Sequence, residues 1–238
     1  RDLNYYCTII MMRICVFSDI HGNGPAFDAA YKMIISEKAD LNIFLGDLCG
    51  YYYDQLEIFE KLTNIQSLYA IRGNHDAIFL DIVEGNKNMR EKYCRKYGRS
   101  MENLLNKEIK ELSKWLSSLS SFIEPAFDIA CFHGSPMNFL EDYIYPDSSL
   151  DIFLDHTSNV FLLGHTHYPM IRRIDNKIVI NPGSLGQPRQ GGWPTYAVID
   201  YPHKTVTFRY VFYDKKKLLE QIDIMADENS YLKTVIER

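Results

Sequence analysis

Five short apolar runs, each breaking off into polar residues, constrain this chain more than any other feature. They read RICVFSD (13–19), LNIFLGD (41–47), SLYAIRGN (67–74), DIACFHG (128–134) and NVFLLGH (159–165). Continuous Val, Ile, Leu and Phe without alternation suits strands covered on both faces. Between the first two runs, Phe27, Ala30, Tyr31, Ile34 and Ile35 recur at helical spacing, which predicts a helix over 25–38. A second is expected over 54–63. Strands alternating with helices mark an α/β domain.

The rest of the chain fits one domain over 12–238. Residues 88–119 read as a charged helical insert whose apolar face is Leu104, Leu105, Ile109, Leu112, Trp115 and Leu116. After residue 170, MIRRID, KIVINPG, TYAVIDY and TVTFRYVFY predict antiparallel strands and hairpins, with Asp175-Asn176 as a turn. A charged helix is expected over 215–236. The first residues, 1–11, are expected to be an extension, upstream or added, ahead of a start at Met11 or Met12. No run approaches the ~18 uninterrupted apolar residues of a membrane helix. The five cysteines follow no framework spacing, which predicts reduced thiols and a cytoplasmic setting. A net charge of −5 gives no global sign of a nucleic-acid or anionic-membrane partner.

Chemistry gathers where the runs end. The first run ends in Asp19 and His21, the second in Asp47, and the third in Arg72, Gly73, Asn74, His75 and Asp76. His133 and the pair His165 and His167 follow the last two, so five of the seven histidines fall at these points. Ligands of open α/β sheets bind beyond the carboxyl ends of strands, where such groups can converge. On extended backbone, residues i and i+2 face the same way, so Asp19 with His21, and His165 with His167, are each expected to address one centre. Carboxylate, imidazole and amide oxygen together favour manganese, iron or zinc over a thiolate-seeking metal.

The order Asp-x-His, Gly-Asp, Gly-Asn-His-Asp, His-Gly, Gly-His-x-His resembles the calcineurin-like metallophosphoesterase superfamily, from about Met12 to Tyr213. Within it, GDLCGYY and NPGSLGQPR resemble the compact, single-domain microbial phosphodiesterase branch. The resemblance implies a four-layer α/β/β/α sandwich and two divalent metals, manganese first, with iron, zinc or nickel also compatible. It assigns Asp19, His21 and His167 to one metal, Asn74, His133 and His165 to the other, and Asp47 as the bridge. It further implies hydrolysis of a phosphodiester or small phosphate ester by in-line attack of a hydroxide held between the metals. His75 would protonate the leaving group or stabilise its charge.

Departures from that pattern carry information too. The superfamily's protein Ser/Thr phosphatases have Gly-Asp-x-x-Asp-Arg-Gly at the second motif. Gly50 and Tyr51 stand here in place of the Asp and Arg, which disfavours protein phosphatase activity. Asp76 is the remaining candidate to orient His75, and Arg72 and Arg189 are candidates for the substrate phosphate. Tyr51, Tyr52 and Tyr53 are expected to pack in the core, a nucleobase platform being the other reading. Cys49 and Cys131 read as small buried thiols. Lys87, Arg90, Lys92, Arg95, Lys96 and Arg99 against the single acid Glu91 read as a solvated helix face, with a basic lid as the alternative. Two other functions stand beside the small-ester hydrolase: a catalytically quiet metal-binding scaffold for protein interaction, and a metal-dependent nuclease. Oligomeric state has no signature in the sequence.

Overall fold

The computed structural model describes residues 11–126, 128–189, 192–225 and 227–237. Apart from Met11, the expected extension lies outside the described residues. The first three runs become β1 (Met12–Phe17), β2 (Leu41–Phe44) and β3 (Leu68–Ala70), joined by α1 (Gly24–Ser36) and α2 (Gln55–Thr63). They are parallel neighbours, with Ile14 opposite Leu41 and Asn42 opposite Leu68. A helix that the sequence reading did not anticipate, α3 (Asn74–Val83), leaves β3 directly. The helical stretch then comes as α4 (Lys87–Tyr97), α5 (Ser100–Leu105) and α6 (Lys110–Ser118).

A second sheet follows from β4 (Phe122–Ala126), β5 (Ile129–Phe132), β6 (Val160–Leu163), β7 (Pro169–Ile174) and β8 (Lys177–Pro182), in the order β4-β5-β6-β8-β7. The β7–β8 hairpin turns at Asp175-Asn176 as expected, with Ile174 opposite Lys177. The chain returns to the first sheet as β9 (Thr195–Tyr201) and β10 (Thr205–Tyr210), giving the order β10-β9-β1-β2-β3.

Packing explains why the runs are apolar throughout. Ile14, Val16 and Ile43 point into a core shared with Ile129, Cys131, Leu162 and Ile180 of the second sheet. The alternate residues Cys15, Phe17 and Phe44 point the other way, against Phe27, Ile58, Phe79 and Leu116 of the helices. Phe132, Phe161 and Leu163 face outward from the second sheet, under Leu150 and Phe153. The expected α/β/β/α layering is therefore present. Its outer layer on the second sheet is thin, and among the described residues of 134–158 the only helical turn is a 3-10 turn at Asp151–Phe153.

The expected helix over 215–236 is two, α7 (Lys215–Ile224) and α8 (Ser230–Glu237). Asp227 sits in the break, where its carboxylate accepts from the Asn229 N–H at 3.2 Å. Leu218, Ile222, Leu232 and Ile236 of this pair cover Tyr51, Tyr52 and Tyr53. Among the described residues no helix is long and apolar enough to cross a membrane.

Candidate metal centre

β1, β2, β3, β5 and β6 all discharge into one set of loops. β1 ends at Phe17 and β6 at Leu163, so Asp19, His21, His165 and His167 lie beyond the extended backbone. The expectation that strand alternation aligns each pair is corrected here. Asp19, His21, Asp47, His165 and His167 all take left-handed backbone, with φ of 54°, 51°, 62°, 67° and 63°. Turns of this kind aim the side chains. Their backbones are stitched together by Asp19 N–H to Gly46 O at 2.9 Å and His21 N–H to Asp47 O at 3.0 Å. The His165 N–H donates to Asp19 Oδ2 at 3.2 Å.

The side chains meet closely. His167 Nε2 lies 3.2 Å from Asp19 Oδ1 and 3.1 Å from His21 Nε2. His21 Nε2 is 3.7 Å from Asp19 Oδ1 and 3.8 Å from Asp47 Oδ2. On the other side, His133 Nε2 is 3.3 Å from Asp47 Oδ2 and 3.1 Å from Asn74 Oδ1. Three groups gather ligand atoms within 4.8 Å of one another: Asp19, His21 and His167; His21, Asp47 and His75; Asp47, His133 and His165. Six of the eight sequence-predicted residues at this centre appear here alongside the shared Asp47, and Asn74 completes the set through His133.

Hydrogen bonding turns the acceptors toward the middle. The Nδ1–H groups of His21, His133 and His167 donate to the carbonyls of Cys49, Leu45 and Gln187 at 2.9, 2.7 and 2.8 Å. Each Nε2 is thereby turned toward the centre, with its lone pair facing it whenever the ring is neutral. Asp19 Oδ1, Asp47 Oδ2 and His165 Nε2 are buried with no hydrogen-bond partner among the described residues. Buried acceptors facing one another repel unless a cation lies between them. Protons respond accordingly. Burial pushes the His133 ring toward neutrality, yet Asp47 beside it holds its pKa up at about 10. Burial opposes charge on Asp19, and His167 and His133 together outweigh it, bringing the carboxyl down to about 2. The donor set is that of a hard-to-borderline divalent metal, and the residues fit one.

His75 is placed differently. Its backbone N–H donates to Asp47 Oδ1 at 2.8 Å, while its Nδ1 lies 2.7 Å from the hydroxyl of Tyr93. Asp76 does not hold this ring. Its two oxygens accept from the N–H groups of Asp47, Cys49 and Gly73 at 2.8, 2.9 and 3.1 Å, which binds the second and third loops together. Burial raises that carboxyl to about 7.

Arg189 reaches the rim. Its guanidinium hydrogen-bonds the Tyr231 hydroxyl and lies over that ring. Tyr231 in turn packs 6.3 Å from Tyr51, which faces His21 at 4.7 Å and His75 at 5.1 Å. Arg72 is half-buried, its Nε has no partner among the described residues, and its backbone N–H is tied to Ser120 O at 2.9 Å.

Two aromatic residues at the centre escaped the sequence reading. Tyr143 packs against His165 with ring centroids 3.9 Å apart and planes tilted by 34°, and Tyr93 caps His75. Tyr93 and Tyr97 are four apart on α4, which was a legible signal of an inward face hidden in a charged stretch. The basic side chains of 87–99 are all exposed, as a solvated face requires.

A family model for the calcineurin-like phosphoesterase superfamily domain matches residues 12–204. The chain belongs to that superfamily. An uncharacterised protein of Methanocaldococcus jannaschii is 30% identical over 235 residues, covering 90% of this chain and 93% of that protein. A phosphodiesterase of the same organism is 26% identical over 193 residues, covering 81% of this chain and 95% of its own. The crystal structure of a metallophosphoesterase from Sphaerobacter thermophilus superposes with a TM-score of 0.79 at 25% identity, covering 96% of this chain and 99% of that one. At the level of the superfamily, this phosphoesterase is a hydrolase of phosphate esters, and its residues can hold metal.

Proposed function

We propose that this chain hydrolyses a phosphodiester or small phosphate ester with two divalent cations, manganese foremost. The observation that carries the reading is that buried acceptors of Asp19, Asp47 and His165, without partners among the described residues, fall in adjoining clusters of ligand atoms beyond the strand ends. Asp19, His21 and His167 would hold one cation and Asn74, His133 and His165 the other, with Asp47 shared. Cations bound there supply positive charge for a phosphoryl oxygen and acidify a water toward ionisation near neutral pH.

The chain's own residues do the rest. The carbonyls of Leu45, Cys49 and Gln187 fix three imidazoles as Nδ1–H tautomers before any ligand arrives, so little reorganisation is needed. His75 stabilises, through Nε2, the charge that builds on the leaving oxygen. Arg189, at the rim, is offered as a contact for the substrate phosphate. The preference for a diester leans on the related phosphodiesterase and on Gly50 and Tyr51 standing where protein phosphatases carry Asp and Arg. A complete acceptor set argues against the quiet scaffold.

The test is hydrolysis of a chromogenic phosphodiester by metal-stripped protein titrated with Mn²⁺, with His167→Ala alongside. Activity rises with metal, and the variant loses about a hundredfold or more at the same metal concentration. Activity that ignores metal, or a variant as active as wild type, refutes the proposal.

A further inference from the structure

Of the five histidines at this centre, four have an Nδ1 hydrogen bond among the described residues, and their partners are of opposite kinds. His21, His133 and His167 each donate from Nδ1 to a carbonyl, which only accepts. The Nδ1 of His75 instead meets the hydroxyl of Tyr93 at 2.7 Å. Tyr93 is 1% exposed, and among the described residues this is the one hydrogen bond its hydroxyl makes. A buried hydroxyl that wasted its proton would forfeit about 1–3 kcal/mol. The O–H therefore donates, Nδ1 accepts, and the neutral ring carries its hydrogen on Nε2.

We propose that Tyr93, on α4, is the positioning residue of His75, fixing the ring as the Nε2–H tautomer that presents a hydrogen-bond donor to the leaving oxygen. Gly50 makes the arrangement possible. A Cβ at that position would lie 2.6 Å from the Tyr93 hydroxyl and 2.8 Å from His75 Nδ1, so any side chain there would displace one or the other. The ring is also clasped by Tyr97, edge-on with centroids 4.9 Å apart, and by Tyr51 at 5.1 Å. The helical insert thus completes the site from a distant part of the chain. As the ester P–O bond breaks, its electron pair stays on the leaving oxygen, Nε2–H hydrogen-bonds to it, and water supplies the final proton. The kinetic consequence rests on the phosphoesterase reading; the tautomer does not.

The experiment has two arms. In zinc-loaded protein labelled with ¹⁵N-histidine, and with His75→Ala to assign the signals, His75 above neutral pH shows its hydrogen on Nε2, and Tyr93→Phe abolishes that single pattern. A hydrogen on Nδ1 in the wild type, or an unchanged pattern in the variant, overturns the proposal. With Mn²⁺, Tyr93→Phe lowers kcat about tenfold or more on an alkyl phosphodiester but about threefold or less on a p-nitrophenyl one, with KM constant. It adds no further loss in a His75→Ala background. Equal losses on both esters, or losses that add to those of His75→Ala, refute the positioning role. A wild type inactive on both esters refutes the phosphoesterase reading, while the ring pattern still decides Tyr93.

Discussion

Replacing Asp47 with Asn tests the centre at its most shared residue. Asp47 is 1% exposed, its Oδ1 accepts the His75 N–H at 2.8 Å, and its Oδ2 has no hydrogen-bond partner among the described residues. In Asp47→Asn the amide oxygen keeps the first bond. The new NH₂ points at His133 Nε2, 3.3 Å from the atom it replaces, and can donate to that ring once it is neutral. The metal-free variant loses the carboxylate that holds the His133 ring's pKa up, so it is expected to be less stable than metal-free wild type at neutral pH.

With metal the two diverge. A site filled at a hundred times its Kd stabilises by about 2.7 kcal/mol, so two sites give roughly 5. For a chain of this length each kcal/mol moves Tm by about 2–4 °C, so wild type gains about 10–20 °C with saturating Mn²⁺. The variant, having lost the ligand common to both cations, gains about 5 °C or less. Thermal unfolding followed by far-UV circular dichroism, with and without chelator, reads both quantities. A full Mn²⁺ gain in the variant would show that Asp47 holds no metal, and that result breaks the argument.

Glu37, at the end of α1, ties the first sheet together by accepting from Arg13 at 2.5 Å, Arg209 at 2.9 Å and Tyr196 at 3.0 Å. Burial pushes its carboxyl up, and these three hydrogen bonds more than offset that, holding it below the ordinary range. A folded value below the unfolded one adds stability above the ordinary range and loses it as pH falls through the folded value. Because the two arginines are 35% and 39% exposed, Glu37→Gln is expected to cost only about 1 kcal/mol at neutral pH in urea unfolding, with the gap closing in acid. A gap that persists in acid refutes the ionic account. At Gly50, φ of +106° and the Tyr93 and His75 contacts oppose any side chain, so Gly50→Ala should cost about 1–3 kcal/mol and displace His75. Full turnover of an alkyl phosphodiester by that variant would show the packing to be looser than described.

The strands were legible because both of their faces are covered. Ile129–Phe132 and Val160–Leu163 have no exposed residue, and no other pattern of burial leaves so unbroken an apolar run. β4 was not legible, since it is an edge strand carrying Pro125 and a break in register between Ile123 and Ala126. α3 was hidden by its own chemistry. Asn74, His75 and Asp76 read as a ligand motif, although Asp76 accepting from the Gly73 N–H is also a helix-start signal. The metal-ligand candidates were found by type and order, but the route by which they converge was not, because Asp and His do not announce left-handed backbone. The spacing of Tyr93 and Tyr97 marked an inward face, but the pairing of Tyr93 with His75 was beyond reach, because the two lie 18 residues apart on different helices and nothing local marks such a pair.

The left-handed conformation of Asp19, His21, Asp47, His165 and His167 sets the fold and the chemistry against each other. Each position costs an L-residue with a side chain about 1 kcal/mol or more, a cost glycine escapes. Glycine would take these angles without that cost, but would give up the bonds that Asp19 and Asp47 accept and leave the space of the buried imidazoles empty. Asp and His at all five positions mark where backbone conformation is given over to the placing of side chains, and that can be read from one molecule without comparing it to another.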